Sequence, residues 1–366
     1  MKKSTLALAI ALASAPALAL EQGEHRFNAF GTLGVTYLGG EEDGRSFGIE
    51  GQTTDSWRGD QLSKFGAQLQ YGLTDTLGVT VQLTAKADQD TWKGNLEWLY
   101  LSYQATDELM FRAGRLRTPI YMYSETLDVG YTYPWLRLPD EVYGQVQLTN
   151  YEGFDMVYNR GLPFGNLTFQ VAVGQAKDRE LFSADDQYDI DYDDVFAANI
   201  ALSTDYGMVR VGYAESSLKD GFDLRPFDGN KGKFTSLGYQ YDQGTVVVNA
   251  EATKRVIEGT AFPTLDAFYV MSGYHLGDFL PHLTYSQLDE EGTGRQSSWI
   301  AGLNYQLTPT VVLKSEYKRV DTSGGYAGQF VETRSEVITR AGRNALGLPT
   351  ANYDGDIVSF GVEFVY

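Results

Sequence analysis

One serine motif and three histidines in this sequence could in principle support nucleophilic chemistry. Residues 44–48 read Gly-Arg-Ser-Phe-Gly and match the G-x-S-x-G elbow of α/β-hydrolases. That elbow needs a strand-to-helix turn, whereas this segment lies in a long predicted loop, so a chance match is the better interpretation. An active serine also needs a base. His25, His275 and His282 are isolated, and none is followed two positions later by serine. Hydrolytic chemistry is therefore not predicted.

A run of carboxylates could coordinate a cation. It consists of Asp185, Asp186, Asp189, Asp191, Asp193 and Asp194. The spacing of a calcium loop fails, because Asp194 stands where glycine is needed and Ile200 stands where a bidentate glutamate is needed. The chain has no Cys, which excludes thiolate ligands, thiolate chemistry and disulfides. We interpret the run as a solvated charged segment and predict no metal site.

Four cations occur in segments whose hydrophobicity alternates with a period of two. They are Lys64, Lys86, Arg112 and Arg210. In residues 77–86 one set of positions is apolar and the other is small, polar or cationic: Leu77, Val79, Val81, Leu83 and Ala85 against Gly78, Thr80, Gln82, Thr84 and Lys86. Because successive side chains of a β-strand point to opposite faces, these cations belong to the polar faces of strands.

The same alternation predicts sixteen strands. Their ranges are 27–38, 64–71, 77–86, 94–104, 109–115, 148–158, 166–175, 194–203, 208–215, 233–241, 245–257, 265–275, 279–288, 297–307, 310–320 and 355–366. The range 94–104 is less regular, since its apolar residues fall on both faces. The tight connections are 74–76, 105–108, 205–207, 242–244, 276–278 and 308–309, with 159–165 slightly longer. The connections between them are 39–63, 116–147, 176–193, 216–232, 258–264, 289–296 and 321–354, with 88–93 the shortest.

Composition and the first residues restrict where such strands can work. The 366 residues carry a formal net charge of -19, and this acidity excludes nucleic acid as a main partner. Lys2 and Lys3, an apolar run and the small residues Ala17 and Ala19 have the form of a cleaved export signal. We therefore predict a signal peptide over residues 1–19 and one mature domain over residues 20–366.

Alternating strands with short turns at one end and long loops at the other are typical of a transmembrane β-barrel. Aromatic residues support this, because they fall near strand ends on the apolar faces: Tyr71, Tyr213, Tyr239, Tyr241, Tyr305, Tyr317 and Phe364. A soluble β-sandwich is the alternative, but it would not need an outward apolar face on every strand. The predicted fold is all-β, a closed 16-stranded antiparallel barrel in the bacterial outer membrane.

The sixteen strands, the export signal, the aromatic C-terminal Tyr366 and residues 113–119 together resemble the Gram-negative general porin family. The resemblance implies short periplasmic turns, a homotrimer and passive diffusion of small hydrophilic solutes. It also implies contact with outer-membrane lipid, lipopolysaccharide and the outer-membrane assembly machinery. No cofactor is implied, although acidic external loops could share divalent cations with lipopolysaccharide. In this family the loop after the fifth strand folds inward, which here is residues 116–147.

The resemblance also suggests candidate site residues. The pore constriction would comprise Arg112, Arg115, Arg117, Glu125, Asp128, Arg137, Asp140 and Glu141, and the pore wall would carry Lys64, Lys86 and Arg210. Tyrosines and Trp135 in the loop could pack against the wall. Acidic loop groups facing wall cations across the lumen would create a transverse field that selects solutes. Two alternatives stay open: a substrate-selective porin, for example for anions such as phosphate, and a barrel with an enzymatic or adhesive role.

Overall fold

A computed structural model describes residues 20–40, 45–49, 51–88, 91–183, 186–222, 225–260 and 262–366. The predicted signal peptide, residues 1–19, lies outside the described residues, as do Gly44 of the serine motif and Asp185 of the acidic run. Each strand pairs antiparallel with its sequence neighbours, and the first pairs with the last to close a barrel. The predicted all-β class and the sixteen-stranded barrel are confirmed.

The barrel is built from strands of 9 to 19 residues. They are β1 (His25–Gly39), β2 (Lys64–Gly72), β3 (Leu77–Asp88), β4 (Thr91–Gln104), β5 (Leu109–Arg117), β6 (Asn150–Leu162), β7 (Gly165–Ser183), β8 (Asp186–Thr204), β9 (Gly207–Phe222), β10 (Arg225–Asp242), β11 (Val246–Ile257), β12 (Leu265–Tyr274), β13 (Phe279–Glu290), β14 (Gly294–Thr308), β15 (Val311–Ser323) and β16 (Asp354–Val365). Among the described residues, two α-helices lie in connections, α1 (Asp140–Tyr143) and α2 (Arg334–Ala345). In these ranges, no helix combines the length and apolarity that a bilayer-spanning helix requires.

The two faces of the strands have opposite character. On β1, Phe27 and Leu33 point outward and are about half exposed, whereas Phe30 and Thr36 are buried on the lumen side. The last strand repeats the pattern, with Phe360 outside and Glu363 fully buried inside. An apolar outer band and a polar interior are what a bilayer and an aqueous lumen require.

A β-bulge explains the irregular pattern in β4. Gln82 of β3 pairs with Trp98, but the next residue, Leu83, pairs with Leu96, so Glu97 is the extra residue. One inserted residue reverses the alternation, because a shift by one flips every later side chain to the other face. Leu96 and Leu99 consequently both point outward, and the Glu97 side chain is buried inside.

Two connections predicted as long loops are mostly strand. Most of residues 176–193 and 216–232 belong to strands, because β7 reaches Ser183, β8 begins at Asp186, β9 reaches Phe222 and β10 begins at Arg225. These extensions do not continue the outward apolar face, because their outward positions carry charges that form cross-strand ion pairs. The Lys177 ammonium lies 2.8 Å from Asp191, and Lys231 lies 3.2 Å from Glu215.

The acidic run is part of these extensions. Asp193 pairs with both Lys177 and Lys219, and Asp191 pairs with Lys177. In the ranges given above, no group of three or more His, Asp or Glu side chains is arranged to hold a metal ion. Asp191 and Asp193 of this run therefore form ion pairs with lysines.

The barrel is filled from within. The connection between β5 and β6, residues 118–149, is named the inner loop below. Its aromatic side chains are buried among lumen-facing residues of β8 to β14 and form the largest apolar cluster. The five aromatic residues that were expected to pack against the wall are all buried: Tyr121, Tyr123, Tyr131, Tyr133 and Trp135.

Candidate functional site

The inner loop crosses the lumen in short, stiff segments. It contains two 3-10 turns, Ser124–Thr126 and Gly130–Thr132, and then α1. Such a path leaves many backbone groups that cannot bond to one another, and these need partners elsewhere. The lumen faces of the strands supply them.

Lys314 on β15 is the most highly bonded of these partners. Its ammonium donates to the carbonyl oxygens of Gly130 at 2.9 Å, Tyr133 at 2.7 Å and Trp135 at 2.9 Å. An ammonium has three N–H donors, so all of them are directed at the inner loop. Its charge is balanced by an ion pair with the buried Glu363 of β16. One side chain therefore fixes six consecutive residues of the inner loop.

The opposite wall holds the inner loop through acceptors as well as donors. Glu251 on β11 accepts a hydrogen bond from the Met122 amide at 2.8 Å and another from the Tyr143 hydroxyl at 2.7 Å. Arg210 on β9 donates to the carbonyls of Pro119 at 2.6 Å and Ile120 at 3.2 Å. The predicted wall residue Arg210 thus contacts the inner loop directly.

Three predicted residues meet near β3 and β5. The ammonium of Lys86 lies 2.9 Å from Asp128 and 2.9 Å from Glu97, and Arg117 pairs with Asp128 as well. Burial opposes ionisation of Asp128, but the charges of Lys86 and Arg117 hold its pKa well below the usual range. The nearby Lys64 donates to the Leu127 carbonyl at 3.3 Å.

Arg112 is held mainly by a residue that sequence reasoning missed. Its guanidinium bonds to the fully buried Asp155 of β6, with Nε 2.9 Å from Oδ1. A second, longer contact of 3.3 Å joins it to Glu125 of the inner loop. Arg112 and Asp155 are paired residues of neighbouring strands, so the ion pair follows from the strand register.

Glu141 of α1 is fully buried against the wall. It accepts hydrogen bonds from Ser286 at 2.7 Å, Gln296 at 2.7 Å and Ser298 at 2.8 Å, and it lies 3.5 Å from Lys318. Burial raises the pKa of such a carboxyl, but the charge of Lys318 and the hydrogen bonds outweigh burial and lower the pKa of Glu141 to about 2. Glu141 is ionised at neutral pH and anchors α1.

The neighbouring predicted residues Arg137 and Asp140 also pair with each other and with the wall. Arg137 Nε lies 3.2 Å from Asp140, whose carboxylate lies 2.7 Å from Lys318. Arg137 also donates to Gln61 in the connection between β1 and β2. The inner loop is therefore tied to the first long connection as well as to β15.

Arg115, another predicted constriction residue, pairs with a neighbouring strand of the barrel wall. It pairs in register with Glu152, on the face that β6 shares with the outward, 43% exposed Phe154. Its guanidinium lies 2.6 Å from Glu152.

The arrangement of charges differs from the one that the predicted transverse field requires. The acidic groups of the inner loop and the basic groups of the wall do not face each other across open space. Asp128 and Asp140 contact their lysine partners at 2.9 and 2.7 Å. Opposite charges in contact largely cancel at longer range. These pairs position the inner loop and contribute little field across the lumen.

Sequence reasoning missed several lumen charges that its own pattern contains. Lys314, Glu316 and Lys318 stand at alternate positions of the predicted strand 310–320, opposite the outward Tyr317. Glu251 and Glu363 stand on the polar faces of their strands in the same way. All five stand at positions that alternate with the outward apolar residues of their strands.

Two connected cavities remain beside the inner loop. One, of about 410 Å³, lies between the inner loop and the first long connection and is lined by Arg117, Ser124 and Arg137. The other, of about 380 Å³, lies toward the long-connection end of the lumen. Both are lined by Ile120 and Val146, so they adjoin.

Comparison with known proteins gives one family and many similar folds. A family model described as Gram-negative porin matches residues 5–325. A search of curated proteins gives no match.

Among solved structures, the chain is similar to OmpT of Vibrio cholerae, with 12% identity, 94% of this chain and 98% of that chain covered, and a TM-score of 0.60. It is also similar to the anion-selective porin from Comamonas acidovorans, with 13% identity, 94% and 100% coverage, and a TM-score of 0.59. The outer membrane channel DcaP of Acinetobacter baumannii gives 13% identity, 94% and 98% coverage, and a TM-score of 0.59. At such low identity these likenesses show the fold.

Proposed function

The chain belongs to the Gram-negative porin family and is a passive channel of the bacterial outer membrane, and we propose that its inner loop forms the constriction that limits which solutes pass. The observation that carries this proposal is the bonding of the inner loop to the lumen faces of strands on opposite sides of the barrel. Arg210 and Glu251 hold one side, and Lys314 and Lys64 hold the other. A segment fixed in this way cannot move aside when a solute arrives.

A weak preference for anions is the second part of the proposal. Arg117 pairs with Asp128, but it keeps two buried nitrogens, Nε and Nη1, with no hydrogen-bond partner in the described part of the chain. Arg117 and Arg137 line the cavity beside the inner loop. Selectivity depends on the local field at the narrowest point and not on the net charge of the chain. Small hydrophilic solutes would pass, with anions favoured slightly.

Conductance in planar bilayers tests both parts. The purified protein should give stepwise currents in KCl. In a KCl gradient, the sign of the reversal potential should show that chloride is modestly preferred over potassium. Absence of any current would refute the channel. Replacement of Arg117 by Met should reduce the chloride preference, and an unchanged reversal potential would place the selectivity elsewhere.

The role of the inner loop has its own test. Lys314→Met removes three hydrogen bonds to the loop and should give a noisier, larger conductance. Lys254→Met is the matched control, because Lys254 is exposed on the outer face of β11 and pairs with the exposed Asp266. Equal conductance and noise in the two variants would contradict the proposed constriction.

The assembly forms the remaining part of the proposal. We expect a homotrimer surrounded by outer-membrane lipid and lipopolysaccharide, acting as a channel rather than an enzyme. A Vibrio cholerae OmpT structure, 13% identical to this chain, is of a trimer form, which supports this stoichiometry. The exposed C-terminal Tyr366 would contact the assembly machinery. Light scattering in detergent tests the trimer, and deletion of Tyr366 should lower the amount of protein that reaches the outer membrane.

A further inference from the structure

The lumen beyond the inner loop, toward the long connections, is apolar. The cavity of about 380 Å³ at this level is lined by side chains from β8, β9, β10, β12 and β13, among them Ile190, Tyr192, Leu218, Phe234, Leu265 and Leu288. This region is named the vestibule below. A barrel interior that only conducts water and ions is normally polar. An apolar wall facing the lumen marks a binding surface.

The apolar residues are confined to one end of the strands. Along the lumen face of β8, Ile190, Tyr192 and Val195 come first, and Asn199 follows nearer the tight-turn end. On β13, Leu288 is the buried lumen-facing residue nearest the long connection. Ser286 and Thr284 follow it toward the tight-turn end. The division between apolar and polar lumen falls near the level at which α1 contacts the wall.

One cation in the vestibule has unused donors. Arg255 on the lumen face of β11 stands in register with Phe234 and Leu265. Its Nη1 donates to the Gln145 carbonyl at 3.4 Å, and its Nε is buried with no hydrogen-bond partner among the described residues. A guanidinium carries five N–H donors in a planar fork that matches a carboxylate.

The other charged groups that line the vestibule are mostly occupied. Lys233 pairs with Glu258 at 2.6 Å, and Arg340 pairs with Glu332 at 2.8 Å. Glu141 is bonded to the wall as described, and Glu215 pairs with Lys231. Glu290 is the exception: it lines the vestibule and its charge acts on Arg255, yet the two form no ion pair. Arg255 is therefore the cation available to a ligand, and Glu290 is the group that competes with it.

We infer that the vestibule binds monocarboxylates with an aromatic body, with the carboxylate on Arg255 and the ring against Phe234 and Leu265. This inference rests on the proposed channel function and specifies one class of its solutes. The ring would be held by apolar burial, and the charge by a bidentate hydrogen bond in a site with little water. From there the solute would enter the adjoining cavity, where Arg117 and Arg137 offer the next positive charges.

Block of the KCl current by benzoate tests the inference. In single-channel recordings, benzoate should reduce or interrupt the wild-type KCl current at concentrations at least tenfold lower than acetate, which lacks the ring. Benzamide, which lacks the charge, should also be weaker than benzoate. If benzoate blocks no better than acetate, the inference is overturned.

Three variants locate the site. Arg255→Met keeps an unbranched apolar side chain but removes the guanidinium and its charge, and it should weaken the block by benzoate tenfold or more. Glu290→Gln should strengthen the block several-fold, because it removes the competing carboxylate. Lys254→Met changes the residue next to Arg255 on the outer face and should leave the block unchanged.

The outcomes separate this inference from the proposed function. A wild-type protein with no KCl current would refute the channel itself. A normal KCl current with equal benzoate block in wild type, Arg255→Met and Glu290→Gln would overturn the vestibule site and leave the channel standing. Because Glu290→Gln is expected to strengthen binding, a folding defect in Arg255→Met could not imitate the predicted pair of results.

Discussion

Replacement of Glu141 by glutamine should remove a pH-dependent part of the stability of the protein. The carboxyl is fully buried in α1, and its pKa falls from an ordinary 4.5 to about 2 because of Lys318 and three hydrogen-bonding side chains. One pKa unit corresponds to roughly 1.4 kcal/mol, so the ionised group contributes about 3 kcal/mol to folding at neutral pH. Glutamine keeps the shape and can still bond to the neighbouring hydroxyls, but it has no charge to pair with Lys318.

The direction of the pH dependence follows from the lowered pKa. A carboxyl with a lower pKa in the folded state favours folding at pH values above its unfolded value, and this contribution is lost as the pH falls from about 5 through 2. Guanidinium unfolding in detergent micelles, followed by tryptophan fluorescence at several pH values, measures it. The free energy of unfolding of the wild type should exceed that of Glu141→Gln by up to about 3 kcal/mol at pH 7, and this difference should shrink toward pH 2.

Glu258→Gln is the matched control for this experiment. Glu258 pairs with Lys233, and about half of the Glu258 side chain is exposed. An exposed pair contributes little, so this variant should follow wild type at every pH. If the difference between wild type and Glu141→Gln were the same at pH 7 and pH 2.5, charge would not be the cause and the reasoning would be refuted.

Two further predictions concern the wall. Arg112→Met leaves the fully buried Asp155 without its main partner and should cost about 3–5 kcal/mol of unfolding free energy, whereas Arg112→Met combined with Asp155→Leu should recover most of it. Guanidinium unfolding measures both variants, and a double variant that is no more stable than Arg112→Met would contradict the predicted recovery. Leu33→Arg on the lipid face should lower the free energy of unfolding by about 2–4 kcal/mol, whereas Gln70→Arg on the lumen face should lower it little. Refolding into lipid vesicles compares the two variants. Equal losses of stability would contradict the assignment of faces.

Alternation predicted the barrel because one physical requirement, an apolar outside, acts on every strand that crosses the bilayer. The pattern failed where that requirement ends. The extensions of β7 to β10 carry ion pairs such as Lys177 with Asp191 where the strands in the bilayer carry outward apolar residues, so the outward apolar face stops there. Glu97 interrupts the period within the membrane. The sequence alone shows an irregular strand there, and the pairing of β3 with β4 identifies the cause as a bulge.

The partners of the inner loop were out of reach for a different reason. Lys314 lies 184 residues from Gly130 in the sequence, and no local pattern specifies that the two meet. The sequence did indicate that charged groups would gather around this loop. Whether they would contact one another or face each other across the lumen depends on how closely the loop approaches the wall, which is set by the packing of Trp135 and its neighbours.

This close approach has a consequence for selectivity. A loop that stands away from the wall can hold a field across the gap, because its charges and those of the wall stay separate. Here the aromatic residues bring the backbone against the wall, so that the carboxylates of Asp128 and Asp140 are consumed in fixing the loop. Discrimination must then come from other groups, and among these Arg117 beside the loop and Arg255 in the vestibule keep buried guanidinium nitrogens without a hydrogen-bond partner in the described residues. Both are cations, and the second stands in apolar surroundings, so the channel should favour an organic anion over an inorganic one of the same charge.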